Sequence, residues 1–357
     1  MRLPAPALAR RAGLALAVLT LSGAAAACGG QAVADGAQHV TLRLGYQPNI
    51  THAAAIVGVQ KGFLAKALGP NVTLTTQTFN AGPAEVEAMN GDAIDAAFFG
   101  PNPAINAFSK SNGKLVRIVA GAASGGAGLV VRSGITRASQ LKGHRVGTPQ
   151  LGNTQDIALR AWLASNGLHV SAQGGGDVDI ASADNATLFQ LFKQGAIDGA
   201  WVPEPWLSRM VDEAHGTLLV DEATLWPGGQ FPTTELVVTT SFLTAHPDVV
   251  RHLLEGHVAT LDWIRANSAD ARSAVNAGLL QLTLKTLSDK VLADAWQRLN
   301  FTADPLAGAL AMAAANAHAA GLLSSVDLHG IIDVRALNDV LRGKGEATVS
   351  SGGYGSQ

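Results

Sequence analysis

The amino-acid sequence predicts an α/β protein of two similar lobes joined by a two-crossing hinge, with a helical C-terminal wrap. Two observations support this prediction. A strand–turn–helix corner occurs twice, as G-D-A-I-D-A-A-F-F-G-P-N-P at residues 91–103 and as G-A-I-D-G-A-W-V-P-E-P-W at residues 195–206. In addition, strand and helix patterns alternate regularly from residue 39 to about 240, and residues 241–342 are almost entirely helical in periodicity.

Each corner contains an apolar run of four residues, at 96–99 and 199–202. Runs this short and hydrophobic on both faces are typical of buried parallel strands. A proline follows each run, where it can occupy the first turn of a new helix. Each corner therefore brings a polar residue, Asn102 or Glu204, to the carboxyl edge of a sheet, where open α/β sheets bind ligands. Two such corners predict a site between two lobes.

The elements around the corners complete two α/β units. The pattern predicts lobe 1 over residues 39–128 and 237–343, and lobe 2 over residues 129–236, with hinge crossings at both ends of lobe 2. The glycine-rich stretch 121–128 is predicted as a loose loop, and residues 344–357 as a disordered tail. Predicted strands lie at 40–45, 72–79, 96–99, 115–120, 129–131, 144–147, 178–181, 199–202, 217–220 and 235–240, and predicted helices at 52–60, 84–90, 138–142, 155–166 and 186–194 and from 102.

The N-terminal segment has the composition of an export signal. Residues 1–27 contain three arginines, no acidic residue and a short apolar stretch, which predicts a signal peptide rather than a membrane-spanning helix. Cys28, the only cysteine, follows directly where a bacterial lipoprotein carries its lipid, and residues 28–38 are predicted as a flexible tether. Lipoprotein signals prefer leucine where this chain has Ala25, so cleavage after Ala27 without lipidation is the alternative.

Composition narrows the class of protein. A length of 357 residues allows two domains, and 47% hydrophobic against 15% charged residues predicts a globular chain. Without residues 1–27 the chain has 22 basic and 27 acidic residues, a net charge of −5 with histidine neutral. This acidic balance argues against nucleic-acid binding, which requires a basic face. A single cysteine also excludes a disulfide framework, so a large core must supply the stability.

The order of several blocks resembles a known family. The two corners, together with L-R-L-G-Y-Q at 42–47, A-G-P-A-E-V at 81–86 and Q-L-K-G-H-R-V-G-T-P at 140–149, resemble the nitrate, sulfonate, taurine and bicarbonate group of ABC-importer solute-binding proteins. The resemblance covers residues 40–342 and implies the type II periplasmic-binding fold. It also implies a monomer that closes on a small solute outside the cell and delivers it to a permease and its ATPase subunit. A lipid on Cys28 would anchor the chain to the outer face of the membrane, whereas an unlipidated chain would be periplasmic.

The turns predicted to face the cleft contain no lysine or arginine. Helix N-termini and glycine turns can nevertheless hold an oxyanion through unpaired N–H groups, so an aliphatic sulfonate or a taurine-like compound is the predicted solute. Glu204 is expected either to pair with the amine of a zwitterionic solute or to stabilise the positive N-terminal end of its own helix. The candidate ligand-binding residues are Gln47, Asn49, His52, Asn102, Ser124, Gln150, Asn153, Thr154, Glu204, Trp206 and Gln230.

Alternative functions remain within and outside this group. The ligand could instead be nitrate, bicarbonate or a thiamine-precursor pyrimidine, and a lipoprotein that senses its ligand is a further reading. Fold-related enzymes of thiamine biosynthesis are implied to hold iron through cysteines and histidines, but this chain has its one cysteine in the export signal and ten scattered histidines. Since hydrolase, zinc-protease and P-loop motifs are also absent, no catalysis, cofactor or metal is expected.

Overall fold

The computed structural model describes residues 39–324 and 327–355, which fold around two β-sheets flanked by helices. The predicted signal peptide, Cys28 and the whole predicted tether lie outside the described residues. The strands are Val40–Tyr46 (β1), Val72–Thr78 (β2), Ala96–Phe99 (β3), Val116–Gly125 (β4), Ala127–Val131 (β5), Arg145–Thr148 (β6), Asp179–Ser182 (β7), Gly199–Pro203 (β8), Thr217–Asp221 (β9), Pro232–Thr239 (β10) and Leu299–Asn300 (β11). The α-helices are Ala53–Gln60 (α1), Phe63–Leu68 (α2), Gly82–Asn90 (α3), Pro101–Lys110 (α4), Thr154–Ser165 (α5), Asn185–Gln194 (α6), Trp206–Ala214 (α7), Thr240–Ala245 (α8), Pro247–Ala266 (α9), Ser268–Thr283 (α10), Asp289–Gln297 (α11), Ala307–Ala319 (α12) and Arg335–Gly343 (α13).

The two sheets have matching topologies. The strand order is β11-β4-β10-β3-β1-β2 in the sheet of lobe 1 and β7-β6-β8-β5-β9 in the sheet of lobe 2. In lobe 1, β3 runs parallel to β1 and antiparallel to β10. In lobe 2, β8 runs parallel to β6 and antiparallel to β5. The two corners of the sequence therefore occupy equivalent central positions, and the predicted fold of two α/β lobes is confirmed.

The chain crosses between the lobes twice. It leaves β4 and enters β5 through Gly126 alone, and it returns between β9 and β10 through two short 3₁₀ turns, Glu222–Leu225 and Pro227–Gly229. The segment predicted as a loose loop is therefore mostly strand. A Cβ atom on Gly121 would overlap the carbonyl of Asp304. Its missing side chain thus marks a close backbone approach rather than a flexible turn.

Hydrophobic residues fill one core in lobe 1 and two smaller clusters in lobe 2. Trp201 on β8 is fully buried, as its apolar setting predicts, and its indole Nε1 donates to Glu222 Oε2 at 2.7 Å. Helix α12 packs against α4 of lobe 1 and α5 of lobe 2, and α11 packs against α7. The C-terminal wrap therefore contacts both lobes.

Described residues near the C-terminus form long-range hydrogen bonds. The backbone N–H of Ile332 donates to the carbonyl of Tyr354 at 3.1 Å, and the side chain of Asn338 exchanges two hydrogen bonds with the backbone of Val349. The glycine and serine content of residues 344–357 predicted a disordered tail. That composition does not reveal the long-range partners seen in the structure. None of the described helices has the length and apolar character needed to cross a membrane.

Candidate functional site

A small polar cavity lies between the lobes, and we call it the cleft cavity. Most of its lining residues come from the turns and helix starts that follow β1, β3, β6 and β7, and Pro203 is the last residue of β8, so the carboxyl ends of parallel strands from both sheets meet there. Its volume is about 20 Å³, little more than the space one water needs. Its lining contains no acidic side chain, lysine or arginine: Gln47, Asn49, Thr51, His52, Gly100, Asn153, Thr154, Gln155, Asn185, Pro203 and Thr233.

Lobe 1 contributes a neutral histidine. The ring of His52 is 3% exposed, and burial lowers its pKa to about 3, so the ring is uncharged at neutral pH. Its Nδ1 accepts the backbone N–H of Gln47 at 3.3 Å, which leaves the ring proton on Nε2. No described residue bonds to Nε2. His52 therefore offers the cavity a neutral N–H donor.

The turn before His52 is held by its own side chain. Asn49 Oδ1 accepts from the backbone N–H and the hydroxyl of Thr51, both at 3.1 Å. Because the carbonyl oxygen is occupied, the Nδ2 amide group is what Asn49 can offer to the cavity. The 3₁₀ turn Ile50–His52 then leads directly into α1.

Lobe 2 contributes the start of α5. Asn153 Oδ1 accepts the backbone N–H of Thr154 at 2.8 Å, and the buried hydroxyl of Thr154 has no hydrogen-bond partner. The preceding turn is fixed by the fully buried Asp156, which accepts from Gly152 N at 2.9 Å and from Arg160 Nε at 3.0 Å. The unpartnered hydroxyl therefore sits on a rigid turn at the positive end of a twelve-residue helix.

Two further side chains add polar groups to the cleft. Asn185, the first residue of α6, lines the cavity with a buried and unpartnered Oδ1. On the opposite lobe, Gln47 Nε2 donates to Glu85 Oε2 at 2.9 Å. Burial raises the pKa of Glu85 well above its ordinary value, which favours the uncharged form of this carboxyl group. The cavity thus combines neutral donors with neutral acceptors.

Comparison with known proteins identifies the family. Residues 35–279 match the NMT1-like family, which is more than half of the chain. The chain belongs to the NMT1-like family.

Relatives of this NMT1-like protein bind small solutes. It is 26% identical over 304 residues to the bicarbonate-binding protein CmpA of Synechococcus elongatus, covering 74% of this chain and 65% of that protein. It is 27% identical over 220 residues to the taurine-binding periplasmic protein of Escherichia coli, covering 61% and 65%. Among solved structures, it is similar to the alkanesulfonate-binding protein SsuA of Xanthomonas axonopodis pv. citri bound to MOPS, with a TM-score of 0.67, 21% identity and coverage of 80% and 95%. This likeness confirms the predicted periplasmic-binding-protein fold.

Some of the sequence-predicted residues come together in the cleft of this NMT1-like protein. Gln47, Asn49, His52, Asn153 and Thr154 all line the cleft cavity. A second cavity of about 60 Å³ adjoins it and is also lined by Gln47, Asn49 and Asn185. Trp206 also lines this second cavity, and its ring centre lies 4.8 Å from the Arg209 guanidinium carbon. Contact of these six residues with a solute stays a prediction.

The other predicted residues do not line the cleft cavity. Asn102 Nδ2 donates to the carbonyl of Ala313 in α12 at 3.1 Å. Ser124 is buried in β4, where it pairs with β10 and β11. Gln150 lies in the turn before α5 without lining the cavity, and Gln230 is exposed beside a separate groove of about 430 Å³. The position of α12, which the sequence did not reveal, decides the orientation of Asn102.

Glu204 is buried beside the hinge rather than in the cavity. Its carboxylate accepts from the backbone N–H and the hydroxyl of Ser208, at 3.0 and 2.9 Å, and from Arg298 at 3.3 Å. Burial outweighs these partners and raises its pKa to about 7. The sequence allowed two roles for Glu204, pairing with a solute amine or stabilising its own helix. Its bonds to Ser208 favour the second role.

Four polar lining residues were not predicted from the sequence: Thr51, Gln155, Asn185 and Thr233. Asn185 follows a strand of the parallel part of the sheet and lies at a helix start, as Asn153 does. The same rule of carboxyl-end turns would have found it. Thr233 lies inside β10, and a strand threonine carries no such signal. Among the described residues, no group of three or more His, Cys, Asp or Glu side chains could hold a metal ion.

Proposed function

We propose that this chain is the extracytoplasmic solute-binding component of an ABC importer and that it captures a small oxyanion-bearing solute between its lobes. One observation carries the proposal. His52 of lobe 1 and Thr154 of lobe 2 line one cavity, and neither His52 Nε2 nor the buried Thr154 hydroxyl has a protein partner among the described residues. Unpartnered polar groups of buried residues are rare, and between two lobes they point to a ligand.

The donors favour an oxyanion over a cation. A cation would require carboxylates or several carbonyl groups, whereas the lining presents the neutral His52 ring, the Thr154 hydroxyl and the amide group of Asn49. The N-terminus of α5 adds positive potential without a charged side chain. An aliphatic sulfonate or a taurine-like compound fits this arrangement, and nitrate, bicarbonate or a thiamine-precursor pyrimidine is the alternative.

Delivery to a membrane permease and its ATPase subunit is part of the same proposal. The names of the relatives support it, since they describe binding proteins, and a bicarbonate transport ATP-binding protein of Synechocystis also matches this chain. These names favour binding over catalysis. Anchoring through a lipid on Cys28 rests on the sequence, because that residue lies outside the described part of the chain.

A thermal-shift screen tests the proposal. The full chain is heated with aliphatic sulfonates, taurine, nitrate, bicarbonate, sulfate and thiamine-precursor pyrimidines. A solute at a hundred times its dissociation constant should add about 2.7 kcal/mol to the free energy of unfolding. Stabilisation by one or more oxyanions is the expected result. Stabilisation by a pyrimidine alone, or by none of these solutes, would contradict the oxyanion proposal.

A further inference from the structure

The amide group of Gln47 has a fixed orientation in the cleft. Its Nε2 donates to Glu85 Oε2 at 2.9 Å, and no described residue donates to its Oε1. Gln47 lines both the cleft cavity and the adjoining cavity. Because this bond turns the amide nitrogen toward Glu85, the carbonyl oxygen is the acceptor that Gln47 can offer to a ligand.

Glu85 is suited to hold that orientation. It is fully buried in the first turns of α3 and does not line either cavity. Its Oε2 accepts the hydrogen bond from Gln47, while its Oε1 has no hydrogen-bond partner. Glu85 is therefore a positioning residue, since it acts on the cleft only through Gln47.

The opposite lobe presents a second acceptor. Asn185 is 8% exposed, lines both cavities and has a buried Oδ1 without a hydrogen-bond partner. The donors described above, His52 Nε2 and the Thr154 hydroxyl, line the same small space. A solute made only of acceptor oxygens satisfies these donors but leaves both carbonyl oxygens facing its negative charge.

We propose that the solute carries a hydrogen-bond donor of its own beside the oxyanion and that Gln47 Oε1 accepts from it, while an amine, with three N–H groups, also reaches Asn185 on the opposite lobe. This inference rests on the proposed oxyanion-binding function and narrows the class of solute. Two chemistries supply such a donor: an oxyanion with a bound proton, as in bicarbonate, and an oxyanion with an amine, as in taurine. Sites built to accept from a substrate O–H or N–H reject analogues without one, because the buried acceptors then stay unpaired.

Two pairs of matched solutes test the proposal by calorimetric titration of the full chain at pH 8. Bicarbonate and nitrate are both planar monoanions and differ in the proton on oxygen. Taurine and propane-1-sulfonate have the same length and differ in the amine. In the pair that binds, the donor-bearing member should bind at least about 10-fold more tightly. The two pairs separate the proton-bearing source from the amine-bearing one.

Variants at residue 85 test the positioning role. Glu85→Met removes the acceptor for Gln47 Nε2, so the amide group can rotate, and the affinity ratio within the pair should fall to about 2-fold. Glu85→Gln keeps a side-chain oxygen that can accept from Gln47 Nε2 and should retain the parent ratio. General damage to the fold lowers both affinities together, so the ratio reports the orientation of Gln47. If Glu85→Met does not fold, Gln47→Met removes the acceptor directly and should lower the ratio in the same way.

The outcomes separate this inference from the function on which it rests. Equal affinities within the binding pair, or tighter binding of nitrate or propane-1-sulfonate, would overturn the inference and leave oxyanion binding intact. An unchanged ratio in Glu85→Met and Gln47→Met would also overturn it. Failure of all four solutes to bind would contradict both this inference and the proposed function.

Discussion

Gly100 and Thr154 meet across the cleft so closely that a Cβ atom on residue 100 would overlap the Thr154 hydroxyl. Gly100 directly follows β3 of lobe 1, and Thr154 begins α5 of lobe 2. The same Cβ atom would lie 3.2 Å from the carbonyl oxygen of Thr233. Residue 100 must therefore lack a side chain for the lobes to approach this far.

Gly100→Ala should weaken solute binding by about 10-fold or more, because the added methyl group holds the lobes apart. Stability should change little, since a φ of −74° suits alanine and opening of the cleft relieves the overlap. Titration measures the affinity, and X-ray scattering should show the parent, but not the variant, becoming more compact with solute. Gly308→Ala, at an exposed site with open space around it, is the matched control. Parent-like binding by Gly100→Ala would show that closure to this distance is not required.

Thr154→Val should lower affinity by about 10- to 150-fold, because the solute loses a hydroxyl donor to its charged group. The free energy of unfolding should stay the same or rise, since the hydroxyl has no partner in the protein. Asn153→Ala is a useful contrast, because it removes the side-chain bond to Thr154 N and should also destabilise the helix start by about 1 kcal/mol. If Thr154→Val binds like the parent, the solute does not contact the start of α5.

Glu204→Gln should leave the affinities for taurine and for nitrate within about 2-fold of the parent values. The reason is that Glu204 bonds to Ser208 and Arg298 and does not line the cleft cavity. Calorimetric titration with both solutes checks the prediction. A selective loss of taurine affinity would instead indicate that the Glu204 carboxylate pairs with the amine of the solute.

Glu222→Gln should change how stability depends on pH. Burial raises the pKa of Glu222 from the ordinary 4.5 to about 7, so the folded protein keeps a proton that the unfolded chain releases between these values. The stabilisation is fully present below pH 4.5 and is lost as the pH rises through 7, and it amounts to roughly 3 kcal/mol. Urea unfolding at pH 4.5 and 7.5 should therefore show a smaller loss of stability in the variant. Equal losses in parent and variant would mean that Glu222 is ionised in the folded protein.

Cys28→Ser should release the chain from membranes, because Cys28 is the only residue available for the proposed lipid anchor. Fractionation of cells that produce the parent or the variant measures this directly. As a control, Ser350→Cys places a cysteine far from the signal peptide. Adding it to the Cys28→Ser variant should not restore anchoring. Retention of Cys28→Ser in the membrane fraction would contradict lipidation.

The sequence predicted those features that depend on neighbouring residues. The apolar run before Gly100 is a strand at the predicted bounds. Features set by distant segments escaped prediction. Gly121 appeared to belong to a loop because nothing nearby shows that Asp304 packs against it, and the partner of Asn102 lies more than two hundred residues away in α12. For the same reason, the Arg298 partner of Glu204 could not be inferred.

A crystal structure of the chain with its tightest-binding oxyanion tests most directly whether an oxyanion binds between the lobes. We expect the oxyanion to lie between the lobes, with oxygen atoms within hydrogen-bond distance of His52 Nε2 and the Thr154 hydroxyl. No lysine or arginine should contact it. A solute bound outside the cleft cavity, or held mainly by a cationic side chain, would contradict this expectation.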